Sequence, residues 1–181
     1  MLKKILLGIG VLIVAFVLYS VYVLFIADPV SPPATANFSD QGIEIEVNYS
    51  QPSKKGRVIF ADSEDALQPY GEYWRLGANS ATEVTFSKDV LFGGESLSAG
   101  TYRMYAVPGA DQFKVGLNTE LDVFFGIGEP DYALDVLTVM IPVQTVQEVE
   151  TLTFKFSSDE STINMDFVWD TSLISIPIVV K

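Results

Sequence analysis

The stretch "IEIEVNYS", residues 43–50, decides the fold class. Ile43, Ile45, Val47 and Tyr49 alternate with Glu44, Glu46, Asn48 and Ser50. Successive side chains on a strand point to opposite faces, so this period of two places four apolar groups on one side and four polar groups on the other. The result is a half-buried strand with one wet face. The pattern recurs downstream. Val84 and Phe86 alternate with Thr85 and Ser87, and residues 90–92 lead through Gly93-Gly94 into residues 96–98. A tight turn at Gly100 opens a strand over 101–107 that the Pro108-Gly109 pair stops. Further strands are expected over 113–117, 136–143 and 149–156, at Ile163 to Trp169, and at Ile174 to Ile178, where Pro177 marks an edge or a bulge. Upstream, residues 57–60 suggest a short second strand and residues 62–68 an acidic loop or single helical turn.

About nine or ten short strands at spacings near 8–12 residues point to an all-β domain, an antiparallel β-sandwich or flattened barrel. No crossover helices are visible for a parallel α/β sheet. Residues 5–26, "ILLGIGVLIVAFVLYSVYVLFI", carry no charge. As a helix they would run about 33 Å, enough to cross a hydrocarbon core of about 30 Å. Lys3 and Lys4 precede them and Asp28 follows, which by the positive-inside rule keeps the N-terminus cytoplasmic and exports the remainder. A cleaved signal peptide is the competing reading. Its apolar core is about 7–15 residues and ends in a small-x-small site, whereas Phe25-Ile26-Ala27 puts a bulky residue there and Ala34-Thr35-Ala36 lies further out.

The expected organisation is a cytoplasmic stub and one N-terminal transmembrane helix over 1–27, a Pro-rich linker over 28–37, "DPVSPPATAN", and an exported β domain over 38–181. This makes a single-pass membrane protein with a periplasmic or extracellular C-terminal domain, whose first partner is the lipid bilayer, through residues 5–26. Without Lys3 and Lys4, nine of the 11 basic residues face all 23 acidic ones, a formal charge of −14. Such a surface repels phosphate backbones, so no nucleic-acid partner is expected. The chain has no cysteine and no histidine. Disulfides, Ser-His-Asp and Cys-His catalysis, and histidine-ligated zinc or heme are excluded. No cofactor is expected.

Several ordered motifs carry a family resemblance. "YSQPSKKGRVIF" at 49–60, "PYGEYWRLGANSATEVTFSKDV" at 69–90 and "LSAGTYRMYAVPG" at 97–109 are followed by "ALDVLTVMIPVQTVQEVETLTFKF" at 133–156 and "DTSLISIPI" at 170–178. Together these resemble the bacterial family known as domain of unknown function 2911, over roughly residues 43–178. The resemblance implies an exported protein without an assigned activity. The chain departs from the family at Gln51, where arginine is usual, at "IFADSEDA" (59–66), where a glycine-rich turn is common, and at "FFGIGEP" (124–130), where many members carry a Trp-Gly pair.

The strongest family motif supplies the first candidate site. Arg75 has a rigid fork of donors suited to a carboxylate or phosphate, Trp74 a platform for a sugar ring, and Asn79 both donor and acceptor. The structural alternative makes Trp74 core, Arg75 a partner of carbonyls or a buried acid, Gly77 a positive-φ turn residue and Asn79 a loop fastener. A second candidate adds Lys55 and Arg57, from the basic run "SKKGR", to Arg75 as a shared anion pocket. A third, weaker one is calcium at Asp62, Glu64 and Asp65, with Glu129 and Asp131 as another acidic pair. No catalytic residue stands out. The expected function is a non-catalytic binding or envelope-associated module for an unknown small molecule, glycan or protein. The alternative is a hydrolase of envelope glycans or small metabolites that uses carboxylates and Arg75.

Overall fold

The structure, a computed structural model, describes residues 2–25, 27, 29–123 and 126–181. The chain divides into two compact units, Met1–Pro32 and Pro33–Lys181. The first contains helix α1 (Leu2–Phe25). Its Lys3–Val23 segment, 21 residues of mean hydropathy 2.5, is long and apolar enough to cross a membrane. Its large apolar side chains lie open along the helix, among them Leu7, Leu12 and Phe16. Ser20, within this run, donates its hydroxyl to the Phe16 carbonyl, so that donor is met inside the helix.

The second unit is built on one nine-stranded antiparallel sheet. It comprises β1 (Pro33–Asp40), β2 (Ile43–Ser50), β5 (Thr82–Phe86), β6 (Val90–Phe92), β7 (Glu95–Leu97), β8 (Gly100–Val107), β9 (Gln112–Asn118), β10 (Asp135–Ser158) and β11 (Ile163–Val180). Their order across the sheet is β1-β2-β5-β8-β9-β10-β11-β6-β7. Two-residue strands β3 (Phe60–Ala61) and β4 (Gln68–Pro69) pair in parallel beside it.

One strand joins the two layers. From Asp135 to Pro142, β10 pairs with β9; from Val143 onward it pairs with β11. Register shifts between Thr145 and Val149 and between Val149 and Thr153 bend it, and bulges of this kind let a strand turn a sandwich corner. The layers then meet through aromatic contacts. Tyr49 meets Phe154 at 4.7 Å between ring centroids, Phe38 meets Phe156 at 5.8 Å and Phe86 meets Phe92 at 6.0 Å.

The all-β sandwich expected from the alternation is therefore what forms, with differences in where strands begin and end. Strand β1 starts at Pro33, inside the stretch expected as linker. Proline fits there because the first residue of an edge strand has no ladder bond to donate, and Ala34, Ala36 and Phe38 alternate onto the core. Ile26 and Asp28 lie outside the described residues. Residues 57–59 form no strand; only Phe60–Ala61 does. The expected pair 136–143 and 149–156 is one bent strand, as are the segments around Ile163 and Ile174. Pro177 sits past the last β10 pairing at Ile174 and just before the β6 ladder begins at Ile178, so its missing N–H falls between the two ladders.

Strand β8 buries both of its faces. Tyr102, Met104 and Ala106 belong to the core, yet Arg103 and Tyr105, on the opposite face, are buried as well. The Tyr105 ring has room because its cross-strand neighbour is Gly116. A Cβ at Gly116 would lie 2.2 Å from the Tyr105 ring. Gly116→Ala is expected to destabilise the domain by about 1–3 kcal/mol, the usual cost of overpacking. Denaturant unfolding of the purified chain checks this, and Tyr105→Leu in the same background should recover part of the loss.

Candidate functional site

The site is set by one alternation. Residues 73–75 run extended beside β8, where the Trp74 N–H donates to the Ala106 carbonyl at 2.8 Å and the Ala106 N–H donates to the Trp74 carbonyl at 2.9 Å. Trp74 points inward and is 2% exposed. Its ring stacks on Trp169 at 5.8 Å and meets Phe60 edge-on at 5.4 Å. Its indole N–H donates to the Gly77 carbonyl at 3.3 Å. A ring placed like this belongs to the core and offers no open face to a sugar, which corrects the platform expectation. Tyr73 and Arg75, one residue to either side, fall on the other face.

There they line a groove of about 280 Å³ together with Gln68, the intervening Trp74, Gly126 and Ile127. The Tyr73 hydroxyl donates to the Gly126 carbonyl at 3.0 Å and accepts from Arg103 at 2.7 Å. Burial pushes the Tyr73 phenol up, and Arg103 partly offsets this. Arg75 is half-buried, and that desolvation lowers its guanidinium from the ordinary range, while Tyr73 acts in the opposite sense. Arg75 remains a cation, held at the edge of a partly dry groove.

The turn after Arg75 is built differently from the sequence expectation. Positive φ falls on Leu76 (57°) and Asn79 (57°), not on Gly77. Gly77 is needed for close approach, since a Cβ would lie 3.1 Å from the Ser50 carbonyl oxygen and 3.2 Å from Thr82 Oγ1. Thr82 fastens the loop by donating its hydroxyl to the Leu76 carbonyl at 2.9 Å. Asn79 takes the left-handed conformation that asparagine tolerates and is not part of the groove lining.

Lys55 and Arg57 are used locally. The Lys55 N–H donates to the Glu150 carboxylate at 2.8 Å, and Arg57 donates to the Ser53 and Lys54 carbonyls at 2.6 and 3.0 Å. Neither lines the Arg75 groove, so the three-cation pocket does not assemble there. The neighbouring Lys54 braces the same turn, 2.6 Å from Glu148 and 2.8 Å from Asp170. Asp62, Glu64 and Asp65 are exposed on a loop, and among the described residues no three acidic side chains gather as a metal site. Asp131 instead caps the single 3-10 turn Tyr132–Leu134, accepting from the Ala133 N–H. Phe124 and Phe125, at the start of the divergent "FFGIGEP" loop, lie outside the described residues.

The sequence reading missed the polar network behind the groove. Arg103 is 1% exposed and donates to Glu120 at 2.5 Å, to the Tyr73 hydroxyl and to the Gly128 carbonyl at 2.8 Å. Tyr105 donates to Asp135 at 2.6 Å, and Asn118 donates to the other Asp135 oxygen and to the Asp131 carbonyl. These bonds tie the chain at Glu120, Gly128, Asp131 and Asp135 onto the outer face of β8 and β9. The available signal was "TYRMYAV", whose two inter-apolar positions are Arg103 and Tyr105, with Gly116 across from Tyr105.

Two expectations follow. Arg103→Met should cost about 1–3 kcal/mol, because it removes the bonds of a buried guanidinium to Glu120, to the half-buried Tyr73 hydroxyl and to the Gly128 carbonyl; chemical unfolding measures it. The phenols of Tyr105 and Tyr73 are raised by burial, and Tyr132 is pushed up to about 12 by burial and then by Glu129. Their folded values exceed the ordinary 10.0, so the folded state holds these protons more tightly. Their contribution is therefore complete below pH about 10 and is lost as pH rises above it. Melting temperature should fall steeply on the alkaline side, and Tyr105→Phe should flatten that fall.

A model of the protein family of unknown function DUF2911 matches residues 31–178. No curated protein and no solved structure matches the chain. The chain belongs to the DUF2911 family.

Proposed function

With that family membership as premise, we propose that the protein is a membrane-anchored, extracytoplasmic β-sandwich that binds a small molecule, a glycan end or a protein group without transforming it. Helix α1 supplies the anchor, and Lys3 and Lys4 hold its N-terminal end in the cytoplasm, which puts the acidic β domain on the periplasmic or outer side. The observation that carries the binding reading is the makeup of the groove. Gln68 and Arg75 bring polar side chains, Tyr73 brings a ring whose hydroxyl is held by Gly126 and Arg103, and Ile127, 72% exposed, offers an apolar wall. That is the composition of a recognition site, with a few placed polar groups against apolar surface.

The hydrolase alternative needs two carboxylates about 5–10 Å apart across a cleft. The groove lining contains none, and the nearest acids of the network, Glu120 and Asp135, are already engaged by Arg103 and by Tyr105 with Asn118. The groove supplies donors without a base or nucleophile.

Two measurements test this. A C-terminal alkaline phosphatase fusion should be active and a green fluorescent protein fusion dark; the reverse pattern would overturn the orientation. In thermal-shift titrations of the full chain in detergent, glucuronate or glucose 6-phosphate should raise the melting temperature, and N-acetylglucosamine should act less. Arg75→Gln should abolish the shift while still unfolding in one cooperative transition without ligand, since glutamine keeps a polar group at this half-buried position. Equal shifts in wild type and variant, or none with any probe, would overturn the site.

A further inference from the structure

Sheet edges differ sharply in how this fold protects them. Strand β7 is three residues long, too short to template a partner. The second half of β10 is covered along its outer edge by residues 52–54: the Leu152 N–H donates to the Pro52 carbonyl, the Lys54 N–H donates to the Glu150 carbonyl, and Ser53 bridges to Thr151. That edge also carries Glu148, Glu150 and Lys155. Among the described residues, strand β1 has none of these protections. It is the terminal strand of the sheet, eight residues long, paired to β2 without a register shift from Pro33 to Asp40. Residues 33–39 are uncharged, and its one proline sits at the very start. Natural proteins block exposed edges with lysine, internal proline, bulges or covering loops, and a long edge lacking them is a template for another strand.

The two faces beside this edge define what fits. On the core side Ala34, Ala36 and Phe38 are only partly covered, and Phe38 packs on Phe156. An added strand would lay every second side chain against them. On the wet side the rungs run outward to acids: Asn37 pairs with Glu46, Ser39 with Glu44, and Thr35 with Asn48, which in turn pairs with Glu83. Glu44 and Glu46 are exposed, Asp40 closes the strand, and Lys88 stands at the hairpin end beside Gly42. The small Thr35, Asn37 and Ser39 leave long basic side chains free to reach across one strand to these carboxylates.

We propose that the free edge of β1 captures an extended segment of another protein, in which apolar residues alternate with lysine or arginine. Main-chain bonds to β1 hold the segment, the apolar residues extend the Ala34–Ala36–Phe38 row, and the basic residues face Glu44 and Glu46. Charge separates this occupant from a second copy. The copy's exported part also carries −14, and its own β1 brings no cation.

The test uses the full chain in detergent micelles and a fluorescent octapeptide of alternating lysine and valine. The peptide should bind saturably and lose affinity steeply with added salt. A glutamate-valine counterpart and a version interrupted by proline should each bind at least about tenfold more weakly, because one loses charge complementarity and the other loses main-chain bonds. The paired variant Asn37→Lys with Ser39→Lys should reduce affinity by about tenfold or more at an unchanged melting temperature, since both sites are exposed and both become edge-blocking charges. Glu44→Gln with Glu46→Gln should weaken binding and reduce its salt dependence. Absence of binding, equal binding of the proline-interrupted peptide, or unchanged affinity in the lysine variant would overturn the proposal. So would a concentration-dependent dimer that Asn37→Lys dissociates, because the edge would then belong to a second copy.

Discussion

The structure of the β domain depends on burying Trp74 between two layers. Its main chain is bonded to Ala106 of β8, and its ring lies against Trp169 of β11 and Phe60. One residue thus ties the family's strongest motif to both halves of the sandwich. Because neighbours on an extended chain point oppositely, fixing Trp74 inward fixes Tyr73 and Arg75 outward. The candidate groove is a consequence of core packing, and its two most polar walls cannot be moved independently of the tryptophan between them.

A second constraint sits on the other face of β8. Arg103 and Tyr105 are buried there, where a half-solvated sheet would normally be wet. Burial of a guanidinium is tolerable only when charge and donors are met, and Glu120, Tyr73 and the Gly128 carbonyl meet most of that need. The Arg103 Nε is left without a partner among the described residues. The network joins the segment after β9 to the groove, since Tyr73 bonds both Arg103 and Gly126. The wall that carries Arg75 is therefore continuous with this largely paired network.

Much of the fold was legible because one-sided burial writes a period of two into the sequence. Residues 43–50 and 82–86 carry it plainly, and both appear as strands. The pattern failed where other physics intervened. The bulged part of β10 lost its alternation at the register shifts, so one strand looked like two. Strand β1 was hidden by its proline and by small residues that read as linker. The site was legible only in part. The motif around Trp74 was located, but the roles of its residues depend on which way each points: Trp74 is core, Leu76 rather than Gly77 carries the positive φ, and Lys55 and Arg57 serve their own turn. Arg103 and Tyr105 were invisible because a polar residue on an alternating strand reads as solvent-facing. Only the covering segment, distant in sequence, buries them.

The most direct test of the central claim is a double-mutant cycle on the chain's two tryptophans, Trp74→Phe and Trp169→Phe, followed by equilibrium unfolding. If the stacked pair is what fastens the motif to the second layer, the two losses should be non-additive, with a coupling of about 0.5–1.5 kcal/mol. Losses that add to within about 0.3 kcal/mol would show two independent core residues, and the outward placement of Tyr73 and Arg75 would need another cause.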